Sequence, residues 1–216
     1  MKHFKFDTEK YPFDALVGDL YEFSLHTLND SQDHSKGDLA MDTDSQWHNI
    51  FYNKLREGWP EFISLYEEFI KNEIFSLFVE EDNLIYQKTP SFRVSQPEGK
   101  AIYVPHCDGD DLHKHPPGEI NVFMPLTKAW GNNSMFLESL PGLGDYKPIT
   151  GEFGDIFLFY GNRQRHFNKF NDTGQTRCSF DFRVIPPCNY DESYNKGSAT
   201  MNSKFIVGEY YNIMGK

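Results

Sequence analysis

Long apolar runs are missing from this sequence of 216 residues. Crossing a bilayer takes roughly 18 consecutive apolar residues, and the longest apolar stretches here are short ones such as Ile156 to Tyr160. Basic side chains are also scarce, 21 Lys and Arg against 32 Asp and Glu, for a net charge of −11. Phosphate backbones and anionic membrane surfaces are gripped by clustered Lys and Arg, so neither nucleic acid nor membrane is expected as a partner. Cysteine is limited to Cys107, Cys178 and Cys188, an odd number without CxxC spacing, and a chain of this size buries enough surface without covalent staples. Reduced thiols are expected. Met1 to Asp7 carries no apolar signal region, which sets the expectation of a soluble, cytoplasmic protein. No internal repeat or low-complexity tract appears, and nothing in the pattern specifies an oligomeric state.

Aromatic residues, by contrast, make up 16% of the chain. At roughly 100–200 residues per domain the length suits one domain spanning 1–216, and its pattern changes near residue 90. In the first part, Asp44-Ser45 can cap a helix whose apolar positions Trp47, Ile50, Phe51 and Leu55 recur at helical spacing. Trp59-Pro60 then starts a second helix, with proline where the first turn tolerates it, and Phe62, Leu65, Phe69 and Ile70 form its stripe. Residues 1–83 are therefore expected to be a mainly helical support. Residues 29–44 are polar and aperiodic, a loop or flap.

From residue 84 onward short β-type runs alternate with turn chemistry, at 84–87, 92–95, 101–108, 119–127, 134–138, 155–160, 165–170, 177–185 and 205–213. Many short strands at this spacing indicate a sandwich or barrel. Residues 198–202 look like a linker into the last strand. The wealth of Phe at 153, 157, 159, 180 and 182 reads as core rather than an aromatic cage.

His106-Cys107-Asp108 closes one of these runs. Strand side chains alternate, so His106 and Asp108 project from one face and Cys107 from the other. An imidazole and a carboxylate side by side form two-thirds of a metal site, and His166, in another expected strand, is the best candidate for the third ligand. A face of two histidines and one carboxylate leaves coordination positions open, as in non-haem Fe(II) oxygenases. In 177–185, alternation places Arg177, Ser179, Asp181 and Arg183 on one face and Cys178, Phe180, Phe182 and Val184 on the other. If Asn171 to Gly174 is a hairpin turn, Arg177 falls opposite His166 on the neighbouring strand. There it can grip a carboxylate with its planar fork, the Ser179 hydroxyl adding a donor.

These residues resemble the Fe(II)/2-oxoglutarate-dependent oxygenases: His-x-Asp, a distal His, then Arg-x-Ser about ten residues on. A longer stretch, including Pro116-Pro117-Gly118-Glu119-Ile120-Asn121, Met124-Pro125-Leu126-Thr127 and Ser179-Phe180-Asp181-Phe182-Arg183, is similar to the streptomycin-biosynthesis-type branch of that superfamily. The resemblance covers about residues 84–190. It implies a double-stranded β-helix (jelly-roll, cupin-like) catalytic core over 84–216, mainly β with N-terminal helices. It also implies His106, Asp108 and His166 as catalytic iron ligands and Arg177 and Ser179 as the anchor for the distal carboxylate of 2-oxoglutarate. Fe(II), 2-oxoglutarate as co-substrate and O2 are then the cofactors of a dioxygenase that hydroxylates a small polar molecule, releasing succinate and CO2. Asp108 is intact, unlike the small residue of halogenating relatives.

Asn121 is a candidate co-substrate or outer-shell hydrogen-bonding group, and Arg93, His113, Glu119, Asp181 and Arg183 are candidate substrate-binding residues. Glu119 and Asn121 share a face and are expected to line one cavity. Two alternatives stand beside these assignments: Arg177 as an ion-pair partner of Asp181, and a zinc site made by His113 and His115 with His106. The rival functions are a cupin-like metal- or sugar-binding protein and a metal-dependent isomerase or hydrolase. Segments 29–44, 113–117 and 188–202 are candidate lids, at least one of which is expected to be mobile without substrate and to close over the His106, Asp108 and His166 face when substrate binds.

Overall fold

The structure, a computed structural model, describes residues 1–30, 45–99, 104–197 and 203–216. Most of the expected loop 29–44, the start of the expected strand 101–108 and the expected linker 198–202 lie outside these residues.

Three helices precede most of the strands: α1 (Phe13–Gly18), α2 (Gln46–Glu57) and α3 (Pro60–Phe69). Ser45 caps α2, its side-chain oxygen accepting from His48 N at 3.2 Å, and Gly58 ends it with φ +102°, a conformation that suits glycine. Proline opens α3 at its first turn. The strands are β1 (Lys2–Lys5), β2 (Asn83–Gln87), β3 (Ser91–Ser95), β4 (Ile120–Pro125), β5 (Met135–Leu137), β6 (Lys147–Pro148), β7 (Asp155–Phe159), β8 (His166–Asn168), β9 (Arg177–Ile185) and β10 (Tyr211–Gly215).

They form a seven-stranded sheet in the order β1-β7-β4-β9-β2-β10, with β3 also paired to β9, and a three-stranded sheet β6-β5-β8. All the ladders are antiparallel. The period of two sorts the larger sheet's side chains cleanly. Val122 and Met124, Ile156 and Leu158, and Phe180 and Phe182 enter one core with the helical residues Phe13, Phe51, Phe62 and Phe69. From the opposite face, Phe123, Phe157 and Phe159 meet Leu137 of the smaller sheet. The helices therefore cover one face of the larger sheet, and its other face, with the polar side of β9, looks toward the smaller sheet.

Phe180 joins these layers, 1% exposed, with its ring 5.6 to 6.0 Å from those of Phe13, Phe51, Phe62 and Phe92. Phe180→Ala is expected to cost about 3–5 kcal/mol, the usual penalty for emptying a large aromatic site in a packed core. Urea unfolding would measure it.

Several expectations are corrected. β8 and β9 do not pair: β8 lies beside β5 in the small sheet and β9 between β4 and the β2/β3 pair in the large one. The chain between them crosses from one sheet to the other, a step that a hairpin reading of Asn171 to Gly174 cannot anticipate. Within 104–108 only His106 makes a bridge, so the expected strand there reduces to a single pairing. Of the expected strand 205–213, only the end from Tyr211 joins a ladder, with β2, while Val207 makes a single parallel bridge to Tyr211. Lys2–Lys5, in the third expected to be helical, is an edge strand on β7.

Candidate functional site

His106 and His166 face each other as an isolated antiparallel bridge that exchanges both backbone hydrogen bonds, at 3.2 and 3.0 Å. Side chains of directly opposed residues leave on the same face, and the two rings stand 4.7 Å apart between centroids. Asp108 follows two residues on, its backbone N donating to Gly161 O at 2.9 Å. Cys107 turns away and donates from Sγ to Arg163 O. One ligand atom from each of His106, Asp108 and His166 lies within 4.8 Å of the others, which makes them, among the described residues, the one such His/Cys/Asp/Glu group.

The outer contacts of these side chains fit a divalent ion. His106 Nδ1 reaches Val104 O and His166 Nδ1 reaches Gln164 O, each at 3.1 Å. A carbonyl only accepts, so both rings carry their proton on Nδ1 and keep the Nε2 lone pair for a metal. Asp108 Oδ2 accepts from Asn121 Nδ2 at 2.7 Å and from Arg183 Nη2 at 3.0 Å. That leaves Oδ1, which lies 3.3 Å from His166 Nε2. The set of two neutral nitrogens and one anionic oxygen, each held by a second group, suits Fe(II) and similar first-row divalent ions.

For Asp108 and His106 the electrostatics agree with this division. Burial works against ionisation of Asp108, yet Arg183 and His166 hold its carboxyl well below the usual range. Burial lowers His106, reinforced by the neighbouring His166. Burial also opposes protonation of His166, but Asp108 and the Gln164 carbonyl together outweigh it and the net shift is upward, the pull of a carboxylate that a bound ion would share. Arg183 spans two carboxylates, Asp108 and Asp181, with Nη1 at 2.5 Å from Asp181 Oδ1. Arg93 Nε holds the other Asp181 oxygen at 3.1 Å. This chain Arg93-Asp181-Arg183-Asp108 runs along the polar face of β9 to the candidate ligand Asp108, so Asp181 pairs with Arg93 and Arg183 and not, as the alternative had it, with Arg177.

Arg177 is 2% exposed. Its Nε donates to Asn133 O at 3.0 Å and its Nη1 to Ser179 Oγ at 2.7 Å, while the guanidinium sits over the Phe123 ring at 5.9 Å. It thus reaches the smaller sheet's side of the interior, although it does not face His166 across a ladder. His113 stacks on His106 at 4.6 Å and bonds Asp110 through Nδ1 at 2.8 Å. His113 and His115 join no metal-ligating group among the described residues, which removes the zinc alternative. Asn121 and Glu119 part company: Asn121 reaches Asp108, whereas Glu119 bonds His115 and Tyr211.

Two residues that the sequence reading passed over, Gly161 and Asn162, build the site. Gly161 N donates to Asn121 Oδ1 at 3.0 Å, and a Cβ on Gly161 would stand 2.6 Å from the Asn121 amide. Asn162 Nδ2 binds the carbonyls of His115 and Pro116 at 2.8 and 3.0 Å, which joins the expected lid segment 113–117 to the turn before His166. A Gly-Asn pair shortly before the distal His was the available signal. Gly161→Ala, by pushing Asn121 off Asp108, and Asn121→Ala are each expected to weaken Co(II) binding about 10- to 100-fold, the usual reach of outer-shell groups. Wild-type affinity in the Gly161 variant would mean that Asn121 does not set the carboxylate.

No family model matches the sequence. It is 30% identical over 173 residues to the streptomycin biosynthesis protein StrG of Streptomyces griseus, a match covering 80% of this chain and 78% of that protein. Among solved structures, it resembles the non-haem alpha-ketoglutarate-dependent carbocyclase SnoK from nogalamycin biosynthesis, with a TM-score of 0.52 over 73% of each chain at 12% identity. The second likeness is one of fold. No helix among the described residues is long and apolar enough to cross a membrane.

Proposed function

This chain belongs to the family of the streptomycin biosynthesis protein StrG, and from that premise we propose that it is a non-haem Fe(II)/2-oxoglutarate-dependent dioxygenase that hydroxylates a small polar metabolite. The observation that carries this reading is the paired arrangement of His106, Asp108 and His166, with every ligand atom not aimed at the centre already held by another group. The two sheets are read as a double-stranded β-helix, residues 84–216 forming the catalytic core of a single domain.

Iron and 2-oxoglutarate bound there supply dioxygen activation coupled to decarboxylation of the co-substrate to succinate and CO2. The chain's own residues hold and orient. Asn121 and Arg183 keep Asp108 turned toward the ion through one oxygen. Arg177, already fixed by Asn133 and Ser179, offers its guanidinium to the distal carboxylate of 2-oxoglutarate. Phe123, Phe157 and Phe159 keep the adjoining interior dry, and low-dielectric surroundings strengthen both charge contacts. The fold shared with a protein described as alpha-ketoglutarate dependent supports the reading, as does a site that, among the described residues, offers the metal three protein ligands.

Anaerobic addition of Fe(II) and 2-oxoglutarate should give the weak visible charge-transfer band of the chelate, and succinate release should rise with some members of a metabolite library. Fe(II) binding without the band would favour a metal-dependent isomerase or hydrolase, or a cupin-like binding protein, on the same scaffold.

A further inference from the structure

Arg183 is a buried cation placed directly on a candidate metal ligand. Its Nη2 donates to Asp108 Oδ2 at 3.0 Å and its Nη1 to Asp181 Oδ1 at 2.5 Å, while its Nε has no hydrogen-bond partner among the described residues. A positive charge one hydrogen bond away from Asp108 works against the divalent cation that Asp108 has to hold. Asp181 places a negative charge on the other branch of the same guanidinium.

Asp181 is well placed for that task. On β9 it stands opposite Ser91 of β3 and Phe123 of β4. Arg93 Nε donates to its second oxygen at 3.1 Å, and the Arg93 side chain, 29% exposed, carries this end of the chain of charges out to solvent. Burial opposes ionisation of Asp181, but Arg183 and Arg93 outweigh it and hold the carboxyl below the usual range. The same carboxylate borders the proposed co-substrate anchor. Ser179, two residues before it on the same face of β9, accepts from Arg177, and the Arg177 guanidinium lies over the ring of Phe123, the residue opposite Asp181.

We propose that Asp181 is a positioning residue of the metal site: backed by Arg93, it offsets the charge of Arg183, so that Arg183 fixes the Asp108 carboxylate without weakening the hold on a divalent cation, and it limits how tightly the site takes the 2-oxoglutarate dianion. The inference rests on the function proposed above. A fixed charge acts with opposite sign on a cation and an anion that bind side by side. A contact that only shapes the fold has no such asymmetry, and its loss weakens both ligands.

The test is calorimetry on the full chain, with Co(II) titrated into the metal-free protein and 2-oxoglutarate into the Co(II)-saturated protein. Asp181→Asn keeps a carbonyl oxygen for the Arg183 guanidinium and removes the charge. Co(II) should then bind about tenfold more weakly, and 2-oxoglutarate about threefold more tightly. Arg93→Gln removes the outer positive charge at a side chain that solvent screens, so both affinities should move by about twofold in the reverse senses, Co(II) tighter and 2-oxoglutarate weaker. Thermal melts show which variants are folded. Shifts of the two ligands in the same direction, or no shift in either, in the folded variants would overturn the proposal. The anaerobic Fe(II)/2-oxoglutarate charge-transfer band is recorded on the wild type: its absence would overturn the iron/2-oxoglutarate reading, whereas a band together with same-direction shifts sinks this proposal alone.

Discussion

Replacing His166 or His106 with alanine is expected to abolish Fe(II) binding and turnover, a loss larger than the about 10- to 100-fold that outer-shell changes produce. Either substitution leaves two protein donors, too few to hold a labile divalent ion at an open site. The backbone bridge between the two residues is independent of their rings, so the fold should survive in both. The variants should nevertheless differ in stability. His106 is partly exposed, and His106→Ala should leave the melting temperature nearly unchanged. His166 is 7% exposed and stands against Asp108, so His166→Ala opens a small void beside a carboxylate that Arg183 and Asn121 still satisfy, a cost of about 1–3 kcal/mol. Metal titration and thermal melts on the same samples separate the two effects. Wild-type turnover at stoichiometric iron in either variant would remove that residue from the ligand set.

Local rules were enough for much of this site. Alternation along 177–185 sorted Arg177, Ser179, Asp181 and Arg183 from Cys178, Phe180, Phe182 and Val184, and β9 spans those residues with that division. The same period put His106 and Asp108 together with Cys107 turned away. The reading failed where placement depends on which sheet receives a strand. Asn171 to Gly174 has good turn chemistry, yet the strands on either side of it enter different sheets, because a turn fixes chain direction and not the partner. Lys2–Lys5 was invisible for a related reason: a short, charged edge strand carries almost no hydrophobic signal, and its pairing with β7 is set by a segment some 150 residues away. Asn121 was selected as an outer-shell group without a named partner, since nothing local says that its amide bridges Asp108 Oδ2 and Gly161 N. Arg183 was assigned to substrate, yet its guanidinium is committed to Asp108 and Asp181. Long-range polar networks of this kind leave single polar letters in strands, which look the same as a solvated face.

Arg177→Lys is expected to raise the 2-oxoglutarate requirement about 10- to 100-fold, the range for losing a hydrogen bond to a charged group, while Fe(II) binding stays near wild type. Lysine keeps the charge but not the planar fork. It also gives up the geometry that fixes this cation: Nε on Asn133 O and Nη1 on Ser179 Oγ place the guanidinium plane before any ligand arrives. Affinity gained through such preorganisation is lost when a flexible ammonium must be ordered on binding. Ser179→Ala should move the requirement the same way by a smaller factor, because it removes one of the contacts that steady the fork. Titrating 2-oxoglutarate against the anaerobic charge-transfer band reads the effect without turnover. An unchanged requirement in Arg177→Lys would transfer the anchor to Arg183, whose buried Nε has no hydrogen-bond partner among the described residues. Arg183 would then have to serve the Asp108 carboxylate and the co-substrate together, and Arg183→Lys would weaken metal and 2-oxoglutarate in parallel, a signature that Arg177→Lys should not share.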